Sequence, residues 1–304
     1  SERSISAGAV ILASGGFDAD PDLRRAHLPV ALGASASVPT NTGIALRLAE
    51  RHGFAVDNLH EGWWMPMTSV PGDVVDGAPY PRALIRERGV PHQIIVNTAG
   101  ARFLDESLPY NEFGKAVHRA GPDGDFPNRD SYLIFDEAFR ERYPLPGLTP
   151  SGPLAPQFVS AATIAGLAEL LGLPIPALES TLAHWNALCG VGHDDDFGRG
   201  DSVYDRYYGD PELGGNRNLG TVSRPPFYAI RVFSATIGSK GGPITTTDGE
   251  VTRPDGRAVP GLYAAGNAAA FWTGDGYPGP GATLAVAMTF GYRAGLAAAS
   301  LTLN

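Results

Sequence analysis

The stretch from Gly274 to Gly281 (GDGYPGPG) has the residue types best suited to chemistry, because four glycines and two prolines surround one tyrosine. An apolar segment with helical spacing follows from Ala282, and a helix start presents free N–H groups and a partial positive charge. Such a start can hold an electron-rich ring edge, as in a reduced flavin, while the prolines keep Tyr277 in place. A structural loop with a buried tyrosine shows the same pattern, and spacing alone leaves both interpretations open.

Two further segments combine a short apolar strand with glycine, AVILASGGF at 9–17 and GLYAAGN at 261–267. Glycine after a strand lets the backbone approach a nucleotide closely, and a following helix start favours negative charge. A glycine turn without a ligand explains each segment equally well, and the full G-x-G-x-x-G fingerprint with its later acidic residue is absent. These two segments alone therefore do not predict a dinucleotide site.

The composition bounds the fold and excludes some functions. The chain has 304 residues, 43% of them hydrophobic, which is enough for one large domain or two medium ones. Its net charge of -9 makes nucleic acid a poor partner. Cys189 is the only cysteine, which fits a reducing compartment. No uninterrupted apolar stretch of about 18 residues is present. We therefore expect no transmembrane segment and a cytoplasmic location, with peripheral membrane association as the alternative.

The elements that position these residues follow from periodicity and from glycine. Residues 9–13 predict a short buried strand, and Asp20 with Pro21 predicts the start of a helix. The aromatic residues between Gly192 and Asn218 argue against disorder and predict a long ordered loop. The other predicted helices span 42–52, 163–171, 175–188 and 282–299, and the other predicted strands span 94–96, 132–135, 227–232 and 262–265.

Seven motifs, in order along the chain, resemble the 3-ketosteroid Δ1-dehydrogenases of the fumarate reductase/succinate dehydrogenase flavoprotein superfamily. They are ILASGGF, IIVNTAGARFLDESLPY, DDDFGRGDSVYDRYYGDP, PPFYAI, GSKGGPITT, VPGLYAAGN and GYPGPGAT…AMTFGY. The resemblance implies an α/β fold with an α+β insertion. A partial Rossmann-like FAD-binding domain would comprise 1–71 and 239–304, and a catalytic cap domain with a mostly antiparallel sheet would comprise 72–238. The family's N-terminal G-x-G-x-x-G segment is absent and residue 1 is not Met, so we expect a C-terminal portion of the enzyme.

The resemblance also implies roles for single residues. Tyr110 in the ESLPY segment matches the base that takes a proton from C2 of the substrate. The hydroxyl of Tyr277 and the N–H of Gly281 match the pair that polarises the C3 ketone, and the C1 hydrogen would leave as hydride to N5 of FAD. A second tyrosine that assists the family's base is not found here. The positions that match FAD contacts are Ser14, Gly15, Gly16, Gly266, Asn267, Thr283 and Leu284, and no metal is implied.

Several alternatives stay open. A Δ4-dehydrogenase, or a dehydrogenase of another bulky cyclic ketone, would share these motifs, whereas a fumarate reductase-like enzyme would need cationic groups where the loop has Tyr277. The chain alone could also be non-catalytic and bind no FAD. Expected partners are a steroid or other cyclic ketone, an acceptor that reoxidises FAD, and a missing N-terminal portion or companion chain. Trp63, Trp64 and Trp272 either line the substrate cleft or belong to the core.

Overall fold

The computed structural model describes residues 4–30 and 32–301. The strands are β1 Val10–Leu12, β2 Ala34–Ser35, β3 Val56–Asp57, β4 Gly62–Thr68, β5 Val74–Val75, β6 Ala78–Pro79, β7 Arg82–Ala83, β8 Gln93–Asn97, β9 Ser131–Asp136, β10 Val159–Ala161, β11 Phe227–Ser239, β12 Gly242–Pro243, β13 Glu250–Thr252 and β14 Ala258–Ala264. The helices are α1 Pro21–His27, α2 Ile44–His52, α3 Tyr110–His118, α4 Glu137–Arg142, α5 Ile164–Leu171, α6 Ile175–Val191, α7 Val203–Tyr208 and α8 Ala282–Leu301, with a 3-10 turn at Gly266–Ala268.

The chain divides into two compact units. The described residues within Ser1–Val30, Ser35–Trp63 and Thr236–Asn304 form the first unit, and those within Ala31–Ala34 and Trp64–Ala235 form the second. The roles predicted for the segments 1–71, 72–238 and 239–304, cofactor binding and catalysis, stay a prediction.

The first unit has a three-stranded sheet in the order β1-β14-β13. β1 and β14 run parallel, with Val10 opposite Leu262, and β13 pairs antiparallel with β14. β1 therefore lies at an edge of this sheet. The predicted strand at 9–13 is confirmed, but its predicted burial is wrong, because an edge strand is covered on one side only. Val10 is 49% exposed and Ile11 is 40% exposed.

The first two helices begin or end where the sequence predicts. Oδ1 of Asp20 accepts hydrogen bonds from the N–H groups of Asp22 (3.0 Å) and Leu23 (2.9 Å), and Pro21 takes the first helical position of α1. α2 ends at Gly53, whose φ of 65° is the left-handed conformation that favours glycine. Single residues thus fix both helix boundaries.

α8 confirms the predicted helix at 282–299 and continues to Leu301. Its exposed apolar side chains Leu284, Met288, Tyr292 and Leu296 recur every four residues and so share one face. By length and composition α8 is the one helix among the described residues that could cross a membrane, and 6% of its most apolar window is buried. Core helices of soluble proteins pass the same test, so the expected absence of a transmembrane segment stays a prediction.

The second unit is built on a seven-stranded sheet. Its main path is β7-β4-β11-β9-β8, and both β2 and β10 also pair with β11. β9 pairs antiparallel with β8 and β11, which places Leu133 opposite both Ile95 and Ile230. These side chains belong to one apolar core, while Ile94 and Ile134 on the alternate positions belong to another. The sheet is therefore buried on both faces, which explains the continuous apolar runs of its strands.

A short helix interrupts the region predicted as a loop from 192 to 218. Oγ of Ser202 accepts a hydrogen bond from the N–H of Asp205 (3.0 Å), and Oδ2 of Asp205 accepts one from the N–H of Ser202 (3.1 Å). This reciprocal cap starts α7. The loop prediction is wrong for residues 203–208, since the cap outweighs the many surrounding glycine and aspartate residues.

Candidate active site

Ser14, Gly15 and Gly16 follow β1, and the chain turns after them at residues 17–20. Gly15 has a φ of +79°, and a Cβ there would lie 2.2 Å from Oδ1 of Asn41. A Cβ on Gly16 would lie 2.2 Å from Oγ of Ser239, which accepts a hydrogen bond from the N–H of Phe17 (2.9 Å), so the positive φ favours glycine at 15 and this contact favours it at 16. Oγ of Ser14 is buried without a hydrogen-bond partner among the described residues. This unpartnered hydroxyl suits a hydrogen bond to a polar ligand atom, which FAD would supply.

The second glycine segment lies at the same edge of the sheet. Because β1 and β14 are parallel and in register, the segments after Leu12 and Ala264 follow adjacent carboxyl ends. The N–H of Ala265 donates to the carbonyl of Leu12 (3.0 Å), and Gly266 and Asn267 form the 3-10 turn that comes next. Ligands of α/β proteins bind at the carboxyl ends of parallel strands. The structure therefore brings together two of the segments predicted to contact FAD.

Trp63 connects this 3-10 turn with the Tyr277 loop. Its Nε1 donates to Oδ1 of Asn267 (3.2 Å), and its ring centroid lies 6.4 Å from that of Tyr277 at an angle of 72°. Trp63 and Trp64 are each 2% exposed, which places both in the core, whereas Trp272 is 68% exposed. Within the first unit, Tyr277 and Asn267 thus share one aromatic neighbour.

α8 starts directly after the Tyr277 loop. Gly281 has a φ of +88°, and its carbonyl accepts a hydrogen bond from the N–H of Ala285 (2.9 Å). Thr283 and Leu284 occupy the first turn, where N–H groups have no partner within the helix. Leu284 is 68% exposed, so its side chain is open to contact with a ligand.

A cavity of about 310 Å³ adjoins the 3-10 turn in the first unit. Its lining includes Ala265, Gly266, Phe271, Trp272 and Val286. The walls are mostly apolar, and the volume is at the lower end of the range of ~300–1,000 Å³ for ligand pockets. Gly266 is the predicted site residue in this lining, so the cavity adjoins one of the positions predicted to contact FAD.

Tyr110 lies in the second unit as the first residue of α3. Asn111, Phe113 and Val117 of the same helix are buried, and Oδ1 of Asn111 accepts a hydrogen bond from the N–H of Trp64 (3.1 Å). Tyr110 itself is partly exposed. A firmly packed helix therefore presents this phenol at its start.

A buried carboxylate precedes Tyr110 by four residues. Glu106 accepts hydrogen bonds from Nε (2.9 Å) and Nη2 (2.8 Å) of Arg102, from Nη1 of Arg199 (3.1 Å) and from the N–H of Ile95 (3.1 Å). Burial by itself would raise the pKa of Glu106, but the charges of Arg102 and Arg199 outweigh burial and hold this pKa below its ordinary value. Glu106 is therefore ionised and fixed by two guanidinium groups.

Two more groups hold the ESLPY segment. Nδ2 of Asn218 donates to Oγ of Ser107 (3.1 Å), and Nη1 of Arg88 donates to the carbonyl of Glu106 (2.6 Å). Asn218 has no exposure and Arg88 is 1% exposed. The residues that lead into Tyr110 are thus fixed through both side chain and backbone.

Other groups near this segment have shifted acidities. Burial, and after it the charge of Asp205, raises the pKa of Asp105 to about 7. Burial also raises the pKa of Tyr204, and Tyr208 and Tyr110 are among the neighbours that add to this effect. Asp105, the residue directly before the ESLPY segment, therefore titrates near neutral pH, in a region with several phenols.

Comparison with known proteins assigns the chain to a family. Residues 1–284 match the profile of the FAD binding domain family. The chain belongs to this family. The match confirms FAD as the expected cofactor, and the Ser14 hydroxyl and the glycine-containing segments after β1 and β14 fit that group.

Two curated relatives are similar over nearly the whole chain. The 3-oxosteroid 1-dehydrogenase of Mycobacterium tuberculosis (strain ATCC 25618 / H37Rv) is 40% identical over 300 residues, which cover 94% of this chain and 52% of the relative. The 4-oxocyclohexanecarboxylate 2-dehydrogenase of Sinomonas cyclohexanicum is 38% identical over 296 residues, which cover 97% of this chain and 51% of the relative. The chain therefore spans about half the length of each of these relatives.

A solved structure shares the fold. The 3-ketosteroid Δ1-dehydrogenase of Sterolibacterium denitrificans, determined in complex with 1,4-androstadiene-3,17-dione, superposes with a TM-score of 0.90 at 36% identity. The superposition covers 96% of this chain and 53% of that chain. The predicted resemblance and the predicted fold class, α/β with a mostly antiparallel insertion, are confirmed. The roles of the individual site residues stay predictions.

The sequence reasoning missed the residues that hold Tyr110 in place. Arg88, Arg199 and Asn218 were not singled out. One signal was available, because an acidic residue such as Glu106 needs a cation once it is buried. The partner was not predictable from the sequence, since Arg199 follows Glu106 by 93 residues.

Proposed function

We propose that this chain is part of an FAD-dependent dehydrogenase that introduces a double bond between C1 and C2 of a 3-ketosteroid. The observation that carries the proposal is the anchoring of Tyr110, a partly exposed phenol at the start of a packed helix. Glu106 and Ser107 before it are fixed by buried guanidinium and amide groups. A base must be held at a defined position to take a proton from carbon, and this anchoring supplies that condition.

In the proposed reaction, Tyr110 takes the proton from C2. The hydroxyl of Tyr277 and the N–H of Gly281 donate hydrogen bonds to the C3 carbonyl oxygen and stabilise the negative charge that develops there. When bound, FAD would supply the acceptor for the hydrogen that leaves C1 as hydride. That cofactor would be held by Ser14, by the glycine-containing segments after β1 and β14, and by the first turn of α8.

The rest of the holoenzyme belongs to the same proposal. The aligned region is 52% of the M. tuberculosis relative, so we expect further FAD contacts from polypeptide that matches the remainder of that relative. An electron acceptor must reoxidise FAD after each turnover. The alternative of a non-catalytic chain predicts that the purified 304 residues show no flavin absorption.

A second candidate substrate is a monocyclic ketone acid. Identity to the 4-oxocyclohexanecarboxylate 2-dehydrogenase of S. cyclohexanicum is 38%, against 40% to the steroid enzyme of M. tuberculosis. Both substrates have a ring ketone next to the carbons that lose hydrogen, so the same base and the same carbonyl donors serve either one. The two ketones differ in size, so their relative turnover distinguishes the two candidate functions.

The deciding experiment uses FAD-loaded enzyme that contains this chain, with a dye as electron acceptor. We expect 4-androstene-3,17-dione to be oxidised to 1,4-androstadiene-3,17-dione, with kcat/KM well above that for 4-oxocyclohexanecarboxylate. NMR of the product from a ring-saturated 3-ketosteroid separates a C1–C2 double bond from a C4–C5 one. If the FAD-loaded enzyme oxidises neither ketone, the proposed function is wrong.

A further inference from the structure

The chain has two lysines among its 23 basic residues, Lys115 and Lys240. Lys240 directly follows β11 and has no solvent exposure. Burial of an ammonium group is unfavourable unless polar groups accept its N–H bonds. The groups around Lys240 therefore indicate what this residue does.

The ammonium group of Lys240 holds the loop that contains Tyr277. Its Nζ donates to the carbonyls of Gly274 (3.2 Å) and Gly276 (2.9 Å). One nitrogen atom thus bridges two backbone carbonyls on either side of Asp275. A lysine suits this arrangement because its donors share one atom, whereas an arginine spreads its donors over a planar fork.

The carbonyl of Gly276 is fixed from two sides. Besides the bond from Lys240, it accepts one from Oγ1 of Thr273 (2.9 Å). A carbonyl oxygen has two lone pairs, so both are used. The peptide unit between Gly276 and Tyr277 is planar. Fixing its oxygen therefore sets the direction in which the chain enters Tyr277, a direction that glycine cannot set with a side chain of its own.

The same cation supports the aromatic neighbour of Tyr277. Nζ of Lys240 lies 4.6 Å from the ring centroid of Trp63, within the range of a cation–π contact. Trp63 in turn packs edge to face with Tyr277, with 6.4 Å between centroids. Lys240 thus acts on Tyr277 both through the backbone and through Trp63.

We infer that Lys240 is a positioning residue for Tyr277. Its ammonium group holds the loop in the conformation that presents the Tyr277 hydroxyl to a ketone oxygen. The catalytic consequence rests on the proposed function, but the order of the loop does not. Two measurements therefore test the inference separately, one on the loop and one on turnover.

The first measurement is hydrogen exchange by mass spectrometry on the chain itself. The N–H groups of Gly274 and Gly276 are hydrogen-bonded within the loop, to the carbonyls of Phe271 (3.0 Å) and Thr273 (2.9 Å), so their exchange reports loop opening. Lys240→Met should speed exchange in the peptide 272–284 about tenfold, the size expected for loss of a bond from a charged donor. Lys115→Met, the matched control at the only other lysine, should leave this peptide unchanged. Equal exchange in Lys240→Met and the unmodified chain overturns the inference.

The second measurement is steady-state kinetics on the FAD-loaded enzyme. Displacing a group that only positions another can lower kcat by about 10², and we expect that loss for Lys240→Met with a smaller change in KM. In a Tyr277→Phe background the same substitution should have little further effect on kcat, because the group that it positions is already gone. A full additional loss in that background would show that Lys240 acts on something other than Tyr277.

A further variant covers the case in which Lys240→Met does not fold. Thr273→Val removes the other donor to the Gly276 carbonyl and should speed exchange of the same peptide, though by less. Unchanged exchange in Thr273→Val would overturn the inference. If the unmodified FAD-loaded enzyme oxidises no ketone, the proposed function is wrong, and the exchange experiment still decides whether Lys240 orders the loop.

Discussion

Glu106 and Arg199 form an ion pair of 3.1 Å in which neither side chain is exposed to solvent. Arg102 approaches the same carboxylate at 2.8 Å. Both guanidinium groups face the ring of Trp185, at 4.4 Å from its centroid for Arg102 and 5.1 Å for Arg199. The position of Tyr110, four residues after Glu106, therefore depends on one buried charge cluster.

Replacing Glu106 with Gln should destabilise the second unit strongly. The amide keeps the shape of the side chain but leaves Arg199 with no carboxylate within ion-pair distance among the described residues. Removal of one partner of a buried pair typically lowers the free energy of unfolding by about 3–5 kcal/mol. Urea unfolding followed by tryptophan fluorescence measures this difference.

Glu112 on α3 supplies the control for that substitution. Its side chain is 38% exposed and pairs with Lys115 at 3.1 Å. Glu112→Gln should change the free energy of unfolding by no more than about 0.5 kcal/mol, as surface substitutions usually do. If both variants lose the same free energy of unfolding, the ion pairs of Glu106 contribute no more to stability than an exposed pair does.

Replacing Tyr110 with Phe should abolish proton removal and retain the cofactor. Loss of a general base typically lowers kcat by about 10² to 10⁴. The predicted FAD contacts belong to the first unit, whereas Tyr110 belongs to the second, so flavin absorption of the loaded enzyme should be unchanged. Turnover of 4-androstene-3,17-dione and the flavin spectrum are measured on the same sample.

Tyr207→Phe is the matched control for Tyr110→Phe. Tyr207 lies in the same unit and is 78% exposed, so removal of its hydroxyl should leave kcat and KM unchanged. Near-normal turnover in Tyr110→Phe would remove this phenol from the mechanism. A parallel loss in both variants would instead indicate a general sensitivity to changes of tyrosine.

Local signals in the sequence predicted much of the first unit. The apolar runs at 9–13 and 262–265 predicted β1 and the end of β14, and Asp20 with Pro21 predicted the start of α1, because each signal acts within a few residues. β4 was missed because all seven of its residues are buried. Its side chains show no alternation that would mark a strand.

The candidate site was less predictable than the elements around it. The ESLPY motif identified Tyr110, but its anchors Arg88 and Asn218 come from distant parts of the chain, and such contacts leave no periodic pattern. Lys240 likewise belongs to the GSKGGPITT motif, which predicted no role for this side chain. The role that we infer for it depends on the fold, which places the carbonyls of Gly274 and Gly276 beside its ammonium group.

Asp105 should make stability fall with rising pH. Burial and the charge of Asp205 raise its pKa from 3.8 to about 7, so between these values the folded chain keeps a proton that the unfolded chain has lost. The free energy of unfolding then falls as pH rises from about 4 to 7, by at most about 4 kcal/mol for this shift. Asp105→Asn removes this titrating carboxyl group. The amide oxygen of the new side chain can still accept a hydrogen bond from the N–H of Ser107.

Urea unfolding at pH 5 and pH 8 tests this expectation. Asp105→Asn should gain stability relative to the unmodified chain as the pH increases, with the gain complete above about pH 7. Asp123→Asn, at an exposed position of the same unit, makes the same change in charge and should show no such trend. A constant difference between Asp105→Asn and the unmodified chain at both pH values would contradict the buried titration.

Gly114 should not tolerate a methyl group, although it lies inside a helix. A Cβ there would lie 2.2 Å from Cβ of Trp64 and 2.6 Å from its Cγ. The gain in helix propensity from Ala is about 1 kcal/mol, while overpacking a tight core typically destabilises by about 1–3 kcal/mol. Gly114→Ala should therefore lower the urea midpoint and, because α3 must shift, also lower kcat.

Gly190→Ala in α6 is the control, because a Cβ there meets no atom within 4 Å. This substitution should instead stabilise the chain by about 0.5–1 kcal/mol. Stabilisation in both variants would mean that α3 does not pack against Trp64 as closely as the structure indicates.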